Sequence, residues 1–252
     1  MKPSLKLPIK NLTEEPYASI LCYPQTKAFE VDNRILELKE LRVEAIEFTG
    51  GGLAYHLPVI GKGHVGIVVL AHKNGERLAL KMRRLDGSRE NFFHEAEMLQ
   101  KANTLEVGPK FEEVSKNFLL TQFIDGDFLA KYLENHKKPE VYQRVIRDIL
   151  EQCWRLDEAW LDHGELSDAS KHLLLNKGGK PFIIDFETAS IGRKVSNVTS
   201  VCQHLFFGYN PVQKLIWETL EEKNKDKIVD SLRNYKKERS RKNFEILLQT
   251  IL

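Results

Sequence analysis

Several groups of residues in this 252-residue chain have types and spacings suited to chemistry. Gly61-Lys62-Gly63-His64-Val65-Gly66-Ile67-Val68 reads G-x-G-x-x-G-x-V. Glycines at such intervals let main-chain N–H groups approach phosphate oxygens with no side chain in the way. A plain glycine-rich hairpin is the alternative reading of the same residues. β-Branched residues and a second strand follow the loop, which excludes the dinucleotide-binding version, where a helix must follow. Further on, Leu78-Ala79-Leu80-Lys81 ends an apolar run on a lysine, and an ammonium inside a strand is costly to bury unless it meets an anion. A solvated strand end is the competing account. Glu95, in E-A-E-M-L, offers the carboxylate, with Met98 and Leu99 at i+3 and i+4 to pack its helix; Glu97 is the other candidate partner. Asp185 follows Ile183-Ile184 and precedes Phe186 at the end of a strand. That position suits a ligand for a divalent cation, or else a turn residue closing the strand.

Composition sets the frame around these groups. Thirty-eight Lys and Arg against 36 Asp and Glu leave a formal charge of +2, so no strong field draws in nucleic acid or acidic membranes. With 42% hydrophobic residues the chain can build a core, which excludes global disorder, and 15 Gly and 9 Pro exclude a collagen-like chain. Cys22, Cys153 and Cys202 are far apart and form no C-x-x-C, against a zinc site or a disulfide framework. MKPSLKLPIK has no apolar stretch of signal-peptide length, and the longest apolar runs, such as Ile67 to Ala71, are too short for a bilayer. The expectation is a cytoplasmic protein with no membrane partner.

These residues need elements to position them. Residues 1 to about 32 show little periodicity and read as an irregular leader. Asn33 to Val43 spaces Ile35, Leu36, Leu38 and Leu41 as a short helix. From Gly50-Gly51-Gly52 to about Phe123 the texture is strand-like, with a hairpin turning at Asn74-Gly75. One helix interrupts it, Arg89 to Ala102, with Phe92, Phe93, Ala96 and Leu99 as its apolar stripe. Helices follow around Phe128 to Glu134 and Glu140 to Leu161, then a strand pair, His172 to Leu175 and Phe182 to Phe186, then more helix. Strands with one helix, then helices with one hairpin, predict two parts of α+β type.

Taken in order, the glycine loop, Lys81 and Glu95 resemble the protein-kinase superfamily, where a Lys–Glu pair holds the lysine against the α- and β-phosphates of a nucleotide. H-G-E-L-S-D-A-S-K-H, I-I-D-F-E-T-A-S and S-N-V-T-S-V-C-Q-H-L are similar to a group of archaeal predicted serine/threonine protein kinases. That group is related to the RIO kinases and to the small kinase of the tRNA threonylcarbamoyl-modification complex. The resemblance runs from about residue 35 to about residue 210. It implies a bilobal kinase-like fold: an extension over 1–50, a β-rich N-lobe over 51–123 and a reduced, mostly helical C-lobe over 124–252 ending in a basic helix. It implies ATP with Mg²⁺ or Mn²⁺. Gly61, Lys62, Gly63, Gly66 and Val68 would cover the phosphates, Ala79 the base, Thr121 would be the gatekeeper, and Gln122, Phe123 and Ile124 would face the adenine edge. Lys81 and Asp185 would be catalytic, the latter as metal ligand.

The resemblance carries departures. Glu165 stands where an Asp base is expected, one methylene longer, with Asp162 and Asp168 as reserve candidates. The Asn that would bind a second metal is absent; Ser170, Lys171 and His172 compete for its place, and neutral His172 suits a softer ion such as Mn²⁺. Glu187, in the glycine position of D-F-G, adds a carboxylate to the metal set. Arg193, Lys194, Asn197 and Thr199 follow closely enough to touch substrate or phosphate. RNYKKERSRK, 233–242, is a solvated helix face or a patch for RNA or a ribonucleoprotein. The expected activity is phosphoryl transfer to a protein Ser/Thr, including its own. The alternatives are a nucleotide-binding pseudokinase serving a partner and a small-molecule phosphotransferase.

Overall fold

The computed structural model describes residues 4–25, 27–220 and 224–252. The chain divides into two compact units, one formed by 1–97 and 110–123, the other by 98–109 and 124–252.

The N-terminal unit contains β1 (Leu5–Pro8), α1 (Tyr17–Leu21), α2 (Ala28–Glu40), β2 (Ala45–Phe48), β3 (Gly52–Ala54), β4 (Leu57–Val59), β5 (Gly61–Lys62), β6 (Gly66–Lys73) and β7 (Glu76–Arg83). The start of α3 (Phe93–Thr104), then β8 (Phe111–Val114) and β9 (Phe118–Gln122), complete it. Its antiparallel sheet runs β1-β2-β6-β7-β9-β8, with β5 also on β6. The β6–β7 turn takes Asn74 and Gly75 at φ 51° and 79°, the left-handed pair a two-residue hairpin demands, as the sequence predicts.

Strand period decides the rest. Leu78, Leu80 and Met82 of β7 point into one core with Ile67, Val69 and Ala71 of β6. The N-terminal extension packs on that core through Leu21 of α1 and Val31, Ile35 and Leu38 of α2, together with Ala54 of β3 and Val59 of β4. The expected irregular leader is therefore corrected. Its residues form a strand and two helices, and α2 starts at Ala28, five residues before the predicted helix. The start was missed because of residues 28–32 only Val31 is buried and Phe29 faces solvent; further along, position 34 of the buried stripe 31, 34, 35, 38 is an arginine. Arg34 is fully buried and donates to Glu30 Oε1 (2.9 Å), the Leu21 carbonyl, the Arg83 carbonyl (2.6 Å) and Asn117 Oδ1 (3.1 Å). A cation so satisfied can occupy a core position.

The C-terminal unit holds β10 (Gly126–Phe128), α4 (Leu129–Asn135), α5 (Pro139–Glu158), β11 (Leu173–Asn176), β12 (Pro181–Ile183), α6 (Asn197–Cys202), α7 (Pro211–Leu220), α8 (Lys225–Lys237) and α9 (Arg241–Ile251). The predicted strand pair is present as β11–β12, and β10 joins it as a third strand. The long amphipathic α5 buries Tyr142, Val145, Ile149, Cys153 and Leu156 along one face. The basic run 233–242 is not one helix: α8 ends at Lys237 and α9 begins at Arg241 behind a Ser240 cap, with Tyr235 buried. Arg233 pairs with Asp230, Arg241 forks onto Glu151, and Arg239 lies 4.0 Å above the Trp160 ring. All three cysteines are free and buried. No described helix is long and apolar enough to cross a membrane.

The molecule thus combines an antiparallel sheet with helices in the α+β manner predicted.

Candidate functional site

In the N-terminal unit the register of four strands gathers residues scattered over sixty positions of sequence. Gly61 pairs with Val68, Val68 with Lys81, and Ala79 with Thr121. Directly opposed residues share a face, so Val68, Ala79, Lys81 and Thr121 all lie on the face opposite the α2 core. On that face Val65, Leu119, Phe92 and Ala96 form a small second core under α3. It places Glu95 beside the sheet: Lys81 Nζ meets Glu95 Oε1 at 2.9 Å and Oε2 at 2.8 Å, with side chains 14% and 8% exposed. Glu97 is exposed, so Glu95 is the partner. The helix starts at Phe93, later than predicted, and Phe93 is 52% exposed instead of joining the stripe. Phe92 takes the core position, its ring 5.6 Å from Lys81 Nζ.

The glycine segment is a hairpin of β5 and β6, closed by a Gly63 N–H to Gly66 carbonyl bond of 2.8 Å. A Cβ on Gly66 would lie 3.0 Å from Lys81 Cγ and from the Met82 carbonyl, so a side chain there would press the lysine out of place. Gly66 is thus required by the Lys81 stem itself, whereas Gly61 and Gly63 have ordinary room. Lys62 lies at the hairpin edge, exposed, its Nζ 3.1 Å from the Tyr23 hydroxyl. Among the predicted adenine-edge residues, the Gln122 N–H already donates to the Lys110 carbonyl at 2.8 Å, which removes that donor from the expected set. Phe123 lies under the Arg77 guanidinium, and Ile124 is buried at the start of the C-terminal unit.

In the C-terminal unit the segment 162–187 is held by main-chain pairing and by side-chain bonds to main chain. Asp185 sits at φ 70°, a left-handed conformation that aspartate tolerates better than most residues. Phe186 is buried and packs edge-on against His163, ring centroids 5.0 Å apart. Asp185 and Glu187 flank it, and the Ala189 N–H closes a turn on the Phe186 carbonyl. Gly164, at φ 92°, turns the chain into Glu165; a Cβ there would lie 2.4 Å from Arg193 Nη2. The Glu165 side chain is 39% exposed, with His172 Nε2 3.7 Å from Oε2.

His163 and His172 both aim at the Ile184 carbonyl, Nε2 at 3.1 Å and Nδ1 at 3.4 Å respectively. Burial, with the neighbouring His172, lowers the His163 pKa to about 4, so the ring is neutral near pH 7. Its Nδ1 has no hydrogen-bond partner. His172 has one nitrogen turned to a carbonyl and the other to a carboxylate, whereas carboxylate oxygens of Asp185 and Glu187 lie within 4.8 Å of each other and could hold a hard cation. Ser170 is engaged with Asp168, whose pKa that hydroxyl lowers, and Lys171 is exposed.

One of the substrate-contact candidates, Asn197, and one reserve base, Asp162, are corrected by burial, whereas Arg193 is exposed and engaged with Asp162. Asp162 is 3% exposed and accepts from Arg193 Nε (2.6 Å) and the Ser196 N–H (2.9 Å), so it is a structural anion and Arg193 its counter-charge. Asn197 is 1% exposed; its Oδ1 accepts from the His163 N–H at 2.8 Å and its Nδ2 donates to the Leu161 carbonyl and to Asp157 Oδ1, each at 2.8 Å. Asp157, at the end of α5, also accepts from the Asn197 N–H (2.9 Å) and the Tyr235 hydroxyl (2.9 Å). Burial raises its pKa despite these donors. Sequence reasoning passed over Asp157 and Tyr235, since an acid in a helical stretch and a tyrosine in a basic run look solvated. Thr199 lines a cavity of about 210 Å³ with Gln203, Leu232 and Lys236, which holds none of the predicted catalytic residues.

Fold and site together define an α+β protein whose sheet carries a half-buried Lys–Glu pair next to a glycine hairpin. No family model matches the chain. It belongs to the same family as the uncharacterized protein MJ1211 of Methanocaldococcus jannaschii, with 32% identity over 99 residues, 39% of this chain and 82% of that protein.

Proposed function

We propose that this protein is an atypical, bilobal protein-kinase-like phosphotransferase that moves the γ-phosphoryl group of ATP to a Ser/Thr hydroxyl, its own included. The observation that carries the reading is the Lys81–Glu95 pair, closed on both carboxylate oxygens and sharing its sheet face with Val68, Ala79 and Thr121. A lysine fixed in this way offers its remaining charge to an α- or β-phosphate without first being ordered. Asp185 and Glu187 would hold the divalent cation, which when bound neutralises charge on the phosphates. Glu165, partly exposed behind Gly164, orients the acceptor hydroxyl or takes its proton.

The test is radiolabelled ATP turnover with Mg²⁺ and with Mn²⁺. Lys81→Ala and Asp185→Ala should each abolish phosphate release or transfer while leaving the circular dichroism spectrum unchanged; full activity in the Asp185 variant overturns the assignment. A second reading, a pseudokinase that binds nucleotide to serve a partner, is favoured by Glu165 in the base position and by Ser170 being engaged with Asp168. Nucleotide-dependent thermal stabilisation without turnover selects it.

A further inference from the structure

We infer that Tyr23, in the N-terminal extension, is a positioning residue that holds the glycine hairpin and its two flanking cations ready for a polyanionic ligand. The inference rests on the nucleotide-binding reading of that hairpin. Lys62 Nζ and Arg84 Cζ each lie 5.1 Å from the centroid of the Tyr23 ring, and the Lys62 amine also reaches the ring hydroxyl at 3.1 Å. Two like charges repel at such proximity unless something between them is negative. The Tyr23 hydroxyl oxygen meets Lys62, the ring lies beside the Arg84 guanidinium, and Asp86 adds a carboxylate gripped by Arg84 Nε and Nη2 at 2.8 Å each.

The main chain repeats the tie. Arg84 Nη1 donates to the Gly63 carbonyl at 2.8 Å and the Arg84 N–H to the Val65 carbonyl at 2.8 Å, so this residue spans the hairpin tip. The next N–H, of Leu85, donates to the Tyr23 carbonyl at 2.8 Å. Tyr23 is itself fixed: Tyr55 packs edge-on at 5.1 Å and its hydroxyl donates to the Pro24 carbonyl, while the buried Arg34 holds the nearby Leu21 carbonyl. A segment expected to be an irregular leader thus buttresses the loop that the motif G-x-G-x-x-G-x-V assigns to phosphate. Cations pre-ordered on a ring meet a triphosphate without the entropy loss that free Lys and Arg side chains would incur.

Calorimetric titration of ATP and of adenosine into the full chain, wild type, Tyr23→Ala and Tyr23→Phe, tests this, alongside trypsin cleavage after Lys62 without ligand. Tyr23→Ala should weaken ATP binding about tenfold, the scale of one hydrogen bond and one cation–π contact, with adenosine binding unchanged and cleavage several-fold faster. Tyr23→Phe, which keeps the ring beside Arg84 but removes the hydroxyl that Lys62 meets, should recover part of both effects. A folded Tyr23→Ala protein that binds ATP and resists trypsin like wild type overturns the inference, as does an equal loss for adenosine. Should the wild type bind no ATP, the nucleotide reading falls, and the cleavage difference alone decides whether Tyr23 secures the hairpin.

Discussion

The Lys81 pair and the His163–Glu187 segment are built on opposite plans. Lys81 stands in the middle of a sheet and Glu95 on a helix packed against it, so main-chain ladders and apolar contacts hold both Cα positions independently of the ion pair. The segment around Glu165 and Asp185 has shorter main-chain pairing, in β11–β12 and in the bridge between Asp162 and Ser190. Buried polar side chains add further ties: Asn197 on the His163 N–H, Asp157 on Asn197, Tyr235 on Asp157, and Asp162 on Ser196 and Arg193. A site on regular elements survives loss of its polar groups, whereas a loop pinned by polar groups moves when one is removed, because each orphaned donor carries a full desolvation cost.

The contrast can be broken most directly at Asp157. Asp157→Ala strips acceptors from the Asn197 N–H and amide and from Tyr235, and should cost about 3–5 kcal/mol in urea denaturation. A loss under about 1 kcal/mol would show that the segment does not depend on the network.

Acid tests the same region. His163 titrates near 6.5 when unfolded and about 4 when folded, so the unfolded chain binds the extra proton between those values. Stability from this group is complete above pH 6.5 and falls as pH drops toward 4, by about 3 kcal/mol in all. His163→Leu should flatten that slope; an unchanged slope means that the ring is not held neutral.

Smaller effects sharpen the comparison. Tyr235→Phe removes one donor to a buried carboxylate and should cost about 2 kcal/mol, tying α8 to the His163 segment through Asp157. In the N-terminal unit, the double variant Lys81→Met with Glu95→Gln should stay within about 1 kcal/mol of wild type, since isosteric replacement of an ion pair is often neutral. The same protein should lose ATP-dependent thermal stabilisation. A large destabilisation would mean that the pair also serves the fold, and the two regions would differ less than their construction suggests.

How much could be read in the sequence follows the same division. The glycine hairpin, the Asn74-Gly75 turn and the choice of Glu95 over Glu97 follow from short-range rules of strand period, turn chemistry and helix spacing. The leader was misread because its share of α2 buries only Val31 while Phe29 faces solvent, so no apolar stripe shows before Asn33; the burial of Arg34 further along was not legible either, since partners as distant as Arg83 and Asn117 make it tolerable. Asn197 was misread as a substrate contact because its position after Asp185 is local, whereas its partners, Asp157 and the His163 N–H, lie 40 and 34 residues away.

By itself the sequence determined the elements and the residue types that carry charge. The tertiary structure decided which charges face a usable surface and which are spent inside. Periodicity acts over a few residues and is written in their order. The free energy of burying a charge depends on every group that comes within hydrogen-bond reach, and chain order alone does not say which those are.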